Sequence, residues 1–86
     1  MAKNRTQALC KAFGWQGGTI HQIAEKTGCS VDELLYGNPT TEKLGSSYYK
    51  GWFAGLTCPL NFRQEKGNLD FWLGVAQGII QKESIS

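Results

Sequence analysis

Several features that would mark a membrane, secreted or disulfide-linked protein are missing from this 86-residue chain. No run of 18 apolar residues exists, so the sequence predicts no membrane-spanning helix. Polar Thr6 and Gln7 follow the basic N-terminus, where a secretory signal would continue with apolar residues. The three cysteines include no CxxC pair, which is typical of free thiols in a reducing compartment. We therefore expect a cytoplasmic protein.

Patterns that carry catalysis or bind metals and phosphates are also missing. The only histidine, His21, has no cysteine at the spacing of a paired zinc ligand, and nothing nearby completes a nucleophilic Cys–His arrangement. We expect its side chain to face solvent. Gly17 and Gly18 lack the lysine that follows the glycines of a phosphate-binding loop. The sequence predicts a protein that is not an enzyme and that uses neither a cofactor nor a metal.

Charge is scarce as well, and it is unevenly spread. The net charge of +2 divides into +3 for residues 1–27, −2 for residues 28–45 and +1 for residues 46–86. Proteins that bind duplex DNA usually cluster their basic residues on one face. Here only the N-terminal end is mildly basic, which argues in part against DNA as the partner.

Two helix-start signatures are the most informative feature that is present. Thr19 and Ser30 are each followed three positions later by a glutamine or a glutamate, the form of a capping box. Gly28 lies between the two predicted helices, where a left-handed residue would end the first of them. A helix, a short glycine-containing turn and a second helix predict a helix-turn-helix.

Apolar periodicity extends this interpretation to five helices and no strand. The predicted helices run from Arg5 to Phe13, from the Thr19 cap to Lys26, from the Ser30 cap to Tyr36, from Ser47 to Leu56, and from the Asn68 cap to Lys82. We predict a small all-α domain in which a helix-turn-helix-like three-helix unit (residues 1–37) is joined by a loop (residues 38–46) to a helical hairpin (residues 47–86).

Glycines inside the last two predicted helices need an explanation, because each costs about 1 kcal/mol relative to alanine. Gly51 and Gly55 are four residues apart, and so are Gly74 and Gly78. Such spacing makes a flat strip on one side of a helix. The simplest explanation is that the two strips face each other and let the helix backbones approach closely, with Trp52 and Trp72 in the core.

The second half resembles a known family in residues of the same kind and order. Gly51-Trp52-Phe53-Ala54-Gly55, then Cys58-Pro59, then Trp72-Leu73-Gly74 resemble the ribosome modulation factor family. The resemblance covers about residues 48–80 and implies a two-helix unit. The family's prototype binds the small ribosomal subunit and promotes inactive ribosome dimers, so the resemblance implies an RNA or ribosome partner.

Candidate nucleic-acid-binding residues follow from these interpretations. Exposed aromatic residues beside Arg63 and Lys66 would stack on unpaired bases. In the first half, four side chains would contact phosphates from the first two helices: Arg5, Lys11, Gln22 and Lys26. Sequence-specific DNA recognition is disfavoured, because the helix that would enter the groove presents Asp32 and Glu33.

A protein-binding inhibitor or adaptor is the alternative. Asp32, Glu33 and Tyr36 would then contact a partner protein, and Phe71 and Val75 would form an exposed apolar ridge beside the main stripe of the last helix. The first half also looks like small helix-turn-helix proteins of phages and plasmids, so the partner would be a host protein complex. Formation of a homodimer is left open by the sequence.

Overall fold

The computed structural model describes residues 4–14, 18–40, 43–57 and 66–85. Within these residues the chain is all-α, as the sequence predicts. Its five helices are α1 (Arg5–Ala12), α2 (Ile20–Thr27), α3 (Val31–Tyr36), α4 (Ser47–Thr57) and α5 (Leu69–Ile85). The principal extents are 32 × 30 × 23 Å. No described helix is long and apolar enough to cross a membrane.

The ends of α2 and α3 are set by their caps. The complete capping box forms at Thr19, whose hydroxyl accepts from the Gln22 N–H while the Gln22 side chain accepts from the Thr19 N–H. Gly28 ends α2 in the left-handed region at φ 74°. Ser30 accepts from the Glu33 N–H at 3.2 Å, but its hydroxyl, rather than its backbone N–H, donates to the Glu33 carboxylate. The predicted box is thus complete at α2 and half-formed at α3.

The predicted start of α5 is confirmed, and it also ties two helices together. The Asn68 side-chain oxygen accepts from the Phe71 N–H at 3.3 Å, which satisfies one of the free N–H groups in the first turn. The Asn68 amide nitrogen donates to Ser47 Oγ at 3.2 Å. The beginnings of α4 and α5 therefore lie side by side.

Gly51 lies against Phe71, and Gly55, farther along α4, lies against Gly78, so the two helices run parallel. The predicted hairpin, in which the helices would be antiparallel, is wrong because the glycines of α4 and α5 meet in the same order along both helices.

The glycines of α4 and α5 face each other, as their spacing predicts. A Cβ placed on Gly55 would lie 3.2 Å from the Gly78 Cα, and one placed on Gly74 would lie 2.8 Å from the Trp52 nitrogen. A Cβ on Gly51 would meet the Phe71 carbonyl oxygen. Real Cβ atoms essentially never approach backbone atoms closer than 3.0 Å, and a Cβ placed on any of the four glycines would have at least one backbone atom of the other helix within that distance, so only glycine permits this approach of the two backbones.

The predicted exposed ridge of Phe71 and Val75 is wrong. Phe71 is 7% exposed and Val75 is fully buried. The physical reason is that α5 is covered on more than one side: Gly51 of α4 lies against the backbone at Phe71 and Val75, while α1 and α3 also pack on α5. Neither side chain is available to a partner protein.

One apolar core joins the two halves. It contains Leu9 from α1, Ile23 from α2, Leu34 from α3 and Trp72 from α5, each at most 1% exposed. The Phe13 and Trp72 rings are 5.4 Å apart, which brings the end of α1 against the first turn of α5. Trp72 is thus in the core as predicted, whereas Trp52 is only half-buried.

Candidate functional site

Arg5, a predicted phosphate contact, is instead bound to the chain's own backbone. Its Nη1 donates to the carbonyl oxygens of Leu34, Leu35 and Gly37 at 3.2, 3.1 and 2.8 Å. These oxygens lie at the C-terminal end of α3, where helix carbonyls lack intrahelical donors and the helix dipole favours a cation. The guanidinium therefore links α1 to α3. It is poorly placed to make the phosphate contact that the sequence predicted for it.

The other candidates of the first half are not gathered into one basic patch. Lys11 forms an ion pair with Glu83 of α5, and Gln22 uses its side-chain oxygen in the capping box of α2. Lys26 is exposed in the last turn of α2. Of the four predicted phosphate contacts, Arg5 is bound to backbone carbonyl oxygens and Lys11 to a carboxylate. Gln22 carries no charge.

The outward face of α3 is acidic, as the sequence predicts. Asp32 and Glu33 are exposed, and Tyr36 is 76% exposed. This is the helix whose first residues would reach base edges in a DNA-reading helix-turn-helix. Two carboxylates at that position repel the phosphates that line a groove, so the geometry opposes duplex DNA on this face.

Residues on the outer side of α4 form an exposed aromatic surface that was not among the predicted site residues. Phe53 is 69% exposed, while Tyr49, Trp52 and Leu56 are half-buried. We call these four residues the α4 outer face. Of these residues Trp52 was predicted to lie in the core, but the glycine strip occupies the contact with α5 and leaves the Trp52 ring at its edge, half-buried. The i, i+4 pairs Tyr49/Phe53 and Trp52/Leu56 were the available signal.

The rings on the α4 outer face are ordered by a buried neighbour. Tyr49 and Trp52 are stacked, with centroids 5.9 Å apart and an interplanar angle of 20°. Tyr48 is 7% exposed and meets Trp52 edge-on at 5.7 Å and 89°. It also meets Tyr49 at 5.5 Å and 71°. The buried Tyr48 ring thus contacts both outer rings, whose planes are nearly parallel.

Lysines are gathered around the N-terminal end of α4. Lys50 is exposed in the first turns of the helix, and exposed Lys43 precedes it in a turn whose carbonyl accepts from the Ser46 N–H. Lys66 is exposed two residues before Asn68, which donates to Ser47 at the start of α4, and the Cγ of Lys66 lies next to Gly28 at the end of α2. No Asp or Glu occurs anywhere in residues 43–57. Exposed Leu44, 89% accessible, adds apolar area. The predicted residue Arg63 lies outside the described residues, as does Cys58.

The two described thiols are held in their neutral form. Burial raises the pKa of the Cys10 thiol, against a smaller lowering by a backbone hydrogen bond from Gly18. Burial likewise raises the pKa of Cys29, opposed by a hydrogen bond with Thr27 and assisted by the Glu33 carboxylate. The thiolate is the nucleophile and the metal ligand, so both groups are poor at either task at neutral pH. The described residues include no group of three potential metal ligands, and His21 is exposed.

Comparison with known proteins adds no relative. No family model matches the chain, and neither the curated proteins nor the solved structures contain a significant match.

Proposed function

We propose that this chain is a non-enzymatic regulatory protein that associates with RNA or a ribonucleoprotein, and that it does so through α4. The main observation in its support is that the α4 outer face exposes aromatic rings. The segment that carries them, residues 43–57, has only two charged residues, Lys43 and Lys50, and both are positive. Proteins that bind single-stranded nucleic acid combine these two elements: cations that follow the phosphates and aromatic rings on which bases stack.

The charge distribution supports RNA over sequence-specific DNA. The outward residues of α3 are acidic, and Arg5 is engaged with backbone carbonyls. Around α4, in contrast, exposed Lys43, Lys50 and Lys66 complement a phosphate backbone. The resemblance of residues 48–80 to the ribosome modulation factor family falls on the same helix and favours the ribosome as the ribonucleoprotein.

The direct test is binding of the full chain to a labelled single-stranded RNA, followed by fluorescence anisotropy at low salt. Lys50→Glu and Phe53→Ala on α4 are each compared with a matched variant elsewhere, Lys26→Glu on α2 and Tyr36→Ala on α3. We expect the α4 variants to weaken binding about tenfold or more, because charge-assisted and stacking contacts are each worth about 1–3 kcal/mol. The α2 and α3 variants should bind like the parent chain.

Sedimentation with ribosomes provides the second arm of this test. The parent chain should co-sediment with the small subunit at low salt, and the Lys50→Glu variant should stay in the supernatant. Equal behaviour of all four variants, or no association of the parent chain with either RNA or ribosomes, would refute the proposed function.

A protein partner is a second candidate, supported by the exposed Asp32, Glu33 and Tyr36 on α3. An exposed aromatic ring beside two carboxylates suits a partner protein with a basic surface. Capture from a cell lysate with and without nuclease separates the two candidates. A partner that survives nuclease and is lost on Tyr36→Ala but kept on Phe53→Ala would favour the protein-binding alternative.

A further inference from the structure

We propose that Tyr49 and Trp52 form a preformed platform on which an unpaired RNA base stacks, with Phe53 available to a neighbouring base. This inference rests on the proposed function and names the part of the RNA that α4 recognises. It assigns binding to the base rather than to the phosphate alone.

The first support is the order of the rings before any ligand binds. Tyr49 and Trp52 already lie within 20° of parallel, and the buried Tyr48 ring holds both of them edge-on. A base that adds to this stack does not have to order a mobile side chain first, so less conformational entropy is lost on binding.

The second support is the rigid mounting of the helix that carries the platform. A Cβ on Gly74 would lie 2.8 Å from the Trp52 nitrogen, and one on Gly78 would meet the Trp52 carbonyl oxygen. The Trp52 backbone is thus in direct contact with α5, while its ring remains half-exposed. The point from which the ring projects is consequently fixed relative to the core of the molecule.

Stacking on these rings requires an unpaired base rather than a duplex. Bases within a duplex already have both faces stacked, and the deep, narrow major groove of an RNA helix does not admit a protein helix. Three lysines near α4 would neutralise at most three phosphates and so release few counterions. At about 0.7 per phosphate, the logarithm of the binding constant would fall with the logarithm of the salt concentration with a slope of at most about 2. Affinity must then come largely from stacking, which requires an unpaired base.

The test compares RNA oligomers that differ only in their bases. The full chain is titrated with a labelled single-stranded oligouridylate and with an abasic RNA of the same length and charge. We expect the abasic oligomer to bind about tenfold or more weakly, as the loss of one stacked base predicts. A duplex containing the same strand should bind as weakly as the abasic oligomer.

Substitutions then locate the effect. Trp52→Leu should reduce binding of the oligouridylate to the level of the abasic oligomer and leave the abasic oligomer unchanged, whereas Trp52→Phe should retain most of the difference. Tyr36→Leu, on the exposed face of α3, is the matched control and should change neither. Far-UV circular dichroism verifies that each variant remains helical, and Phe53→Ala is the second probe of the same face.

The outcomes separate this inference from the proposed function. Equal affinity for base-containing and abasic RNA, with binding still lost on Lys50→Glu, would overturn the platform and leave RNA association intact. Failure of the parent chain to bind any of these RNAs or ribosomes would overturn both. A base-dependent affinity that vanishes in Trp52→Leu supports both.

Discussion

The side chain of Arg5 has a role that its residue type and position in the sequence do not predict. An arginine near a basic N-terminus predicts a phosphate contact, yet its Nη1 donates to three carbonyl oxygens at the end of α3. Those acceptors are about 30 positions away in the chain, as the 29–32-residue separations show. Local sequence contains no signal for such a pairing, because only packing of α1 against α3 brings the groups together.

Replacement of Arg5 measures the strength of this contact. Arg5→Ala should lower the free energy of unfolding by about 1–2 kcal/mol, since hydrogen bonds from a charged donor to otherwise unsatisfied carbonyls are lost at a partly exposed site. Arg5→Lys should recover part of it, because an ammonium still complements the helix end but lacks the planar fork. Urea denaturation measures both, with Lys26→Ala as the control; no loss in Arg5→Ala would contradict the assigned role.

At the scale of elements, the glycine spacing predicted the most specific feature of the fold. Four glycines, two on α4 and two on α5, line the contact between these helices. The prediction succeeded because close backbone approach has a direct sequence requirement: a missing Cβ at i and i+4 on both partners. The Asn68 and Thr19 caps succeeded for a similar reason, since a helix end needs a side-chain acceptor within three residues.

Gly74→Ala tests the glycine contact against the intrinsic preference of a helix. Alanine normally stabilises a helix interior by about 1 kcal/mol relative to glycine. Here the new methyl would meet the Tyr48 carbonyl oxygen and the Trp52 nitrogen, so we expect net destabilisation by about 1–3 kcal/mol. Gly74→Leu should be worse.

The measurement is thermal or urea unfolding, with Gln81→Ala at a half-buried position of the same helix as the control. An unchanged or raised melting temperature in Gly74→Ala would show that the two backbones are farther apart than described.

The arrangement of the helices also explains why the predicted exposed ridge of Phe71 and Val75 is wrong. Periodicity identifies which residues of α5 share a side, but not how many sides are covered. Phe71 and Val75 lie off the main stripe and are nevertheless buried, because α5 is packed by α4, α1 and α3. A helix that is apolar around most of its circumference is typically a central helix. The run of buried residues 71–76 agrees with that rule.

At the scale of the whole molecule, the first three helices and the α4–α5 pair share one core. Leu9, Ile23, Leu34 and Trp72 belong to the same cluster. Polar ties reinforce it: Asp70 in the first turn of α5 accepts from both the backbone N–H and the hydroxyl of Thr40. We therefore expect the two halves to unfold together rather than as independent units.

Leu9→Ala tests this cooperativity from the first half. Removing a fully buried leucine should cost about 2–5 kcal/mol. Urea unfolding followed by far-UV circular dichroism and by tryptophan fluorescence should give one shared midpoint, lowered equally in both signals. In a Trp15→Phe background only Trp52 and Trp72 of the α4–α5 pair remain. A tryptophan signal that keeps its midpoint there, while part of the helical signal is lost earlier, would show that the α4–α5 pair folds by itself.

The sequence alone determined the all-α class, the ends of the five helices within a residue or three, and the glycine contact. Each of these is encoded in neighbouring residues through caps, periodicity or spacing. Tertiary structure decided which side chains remain accessible: it engaged Arg5, buried Phe71 and Val75, and exposed Phe53. Accessibility depends on what packs from distant parts of the chain, so local patterns such as the i, i+4 pairs of α4 indicate it only in part.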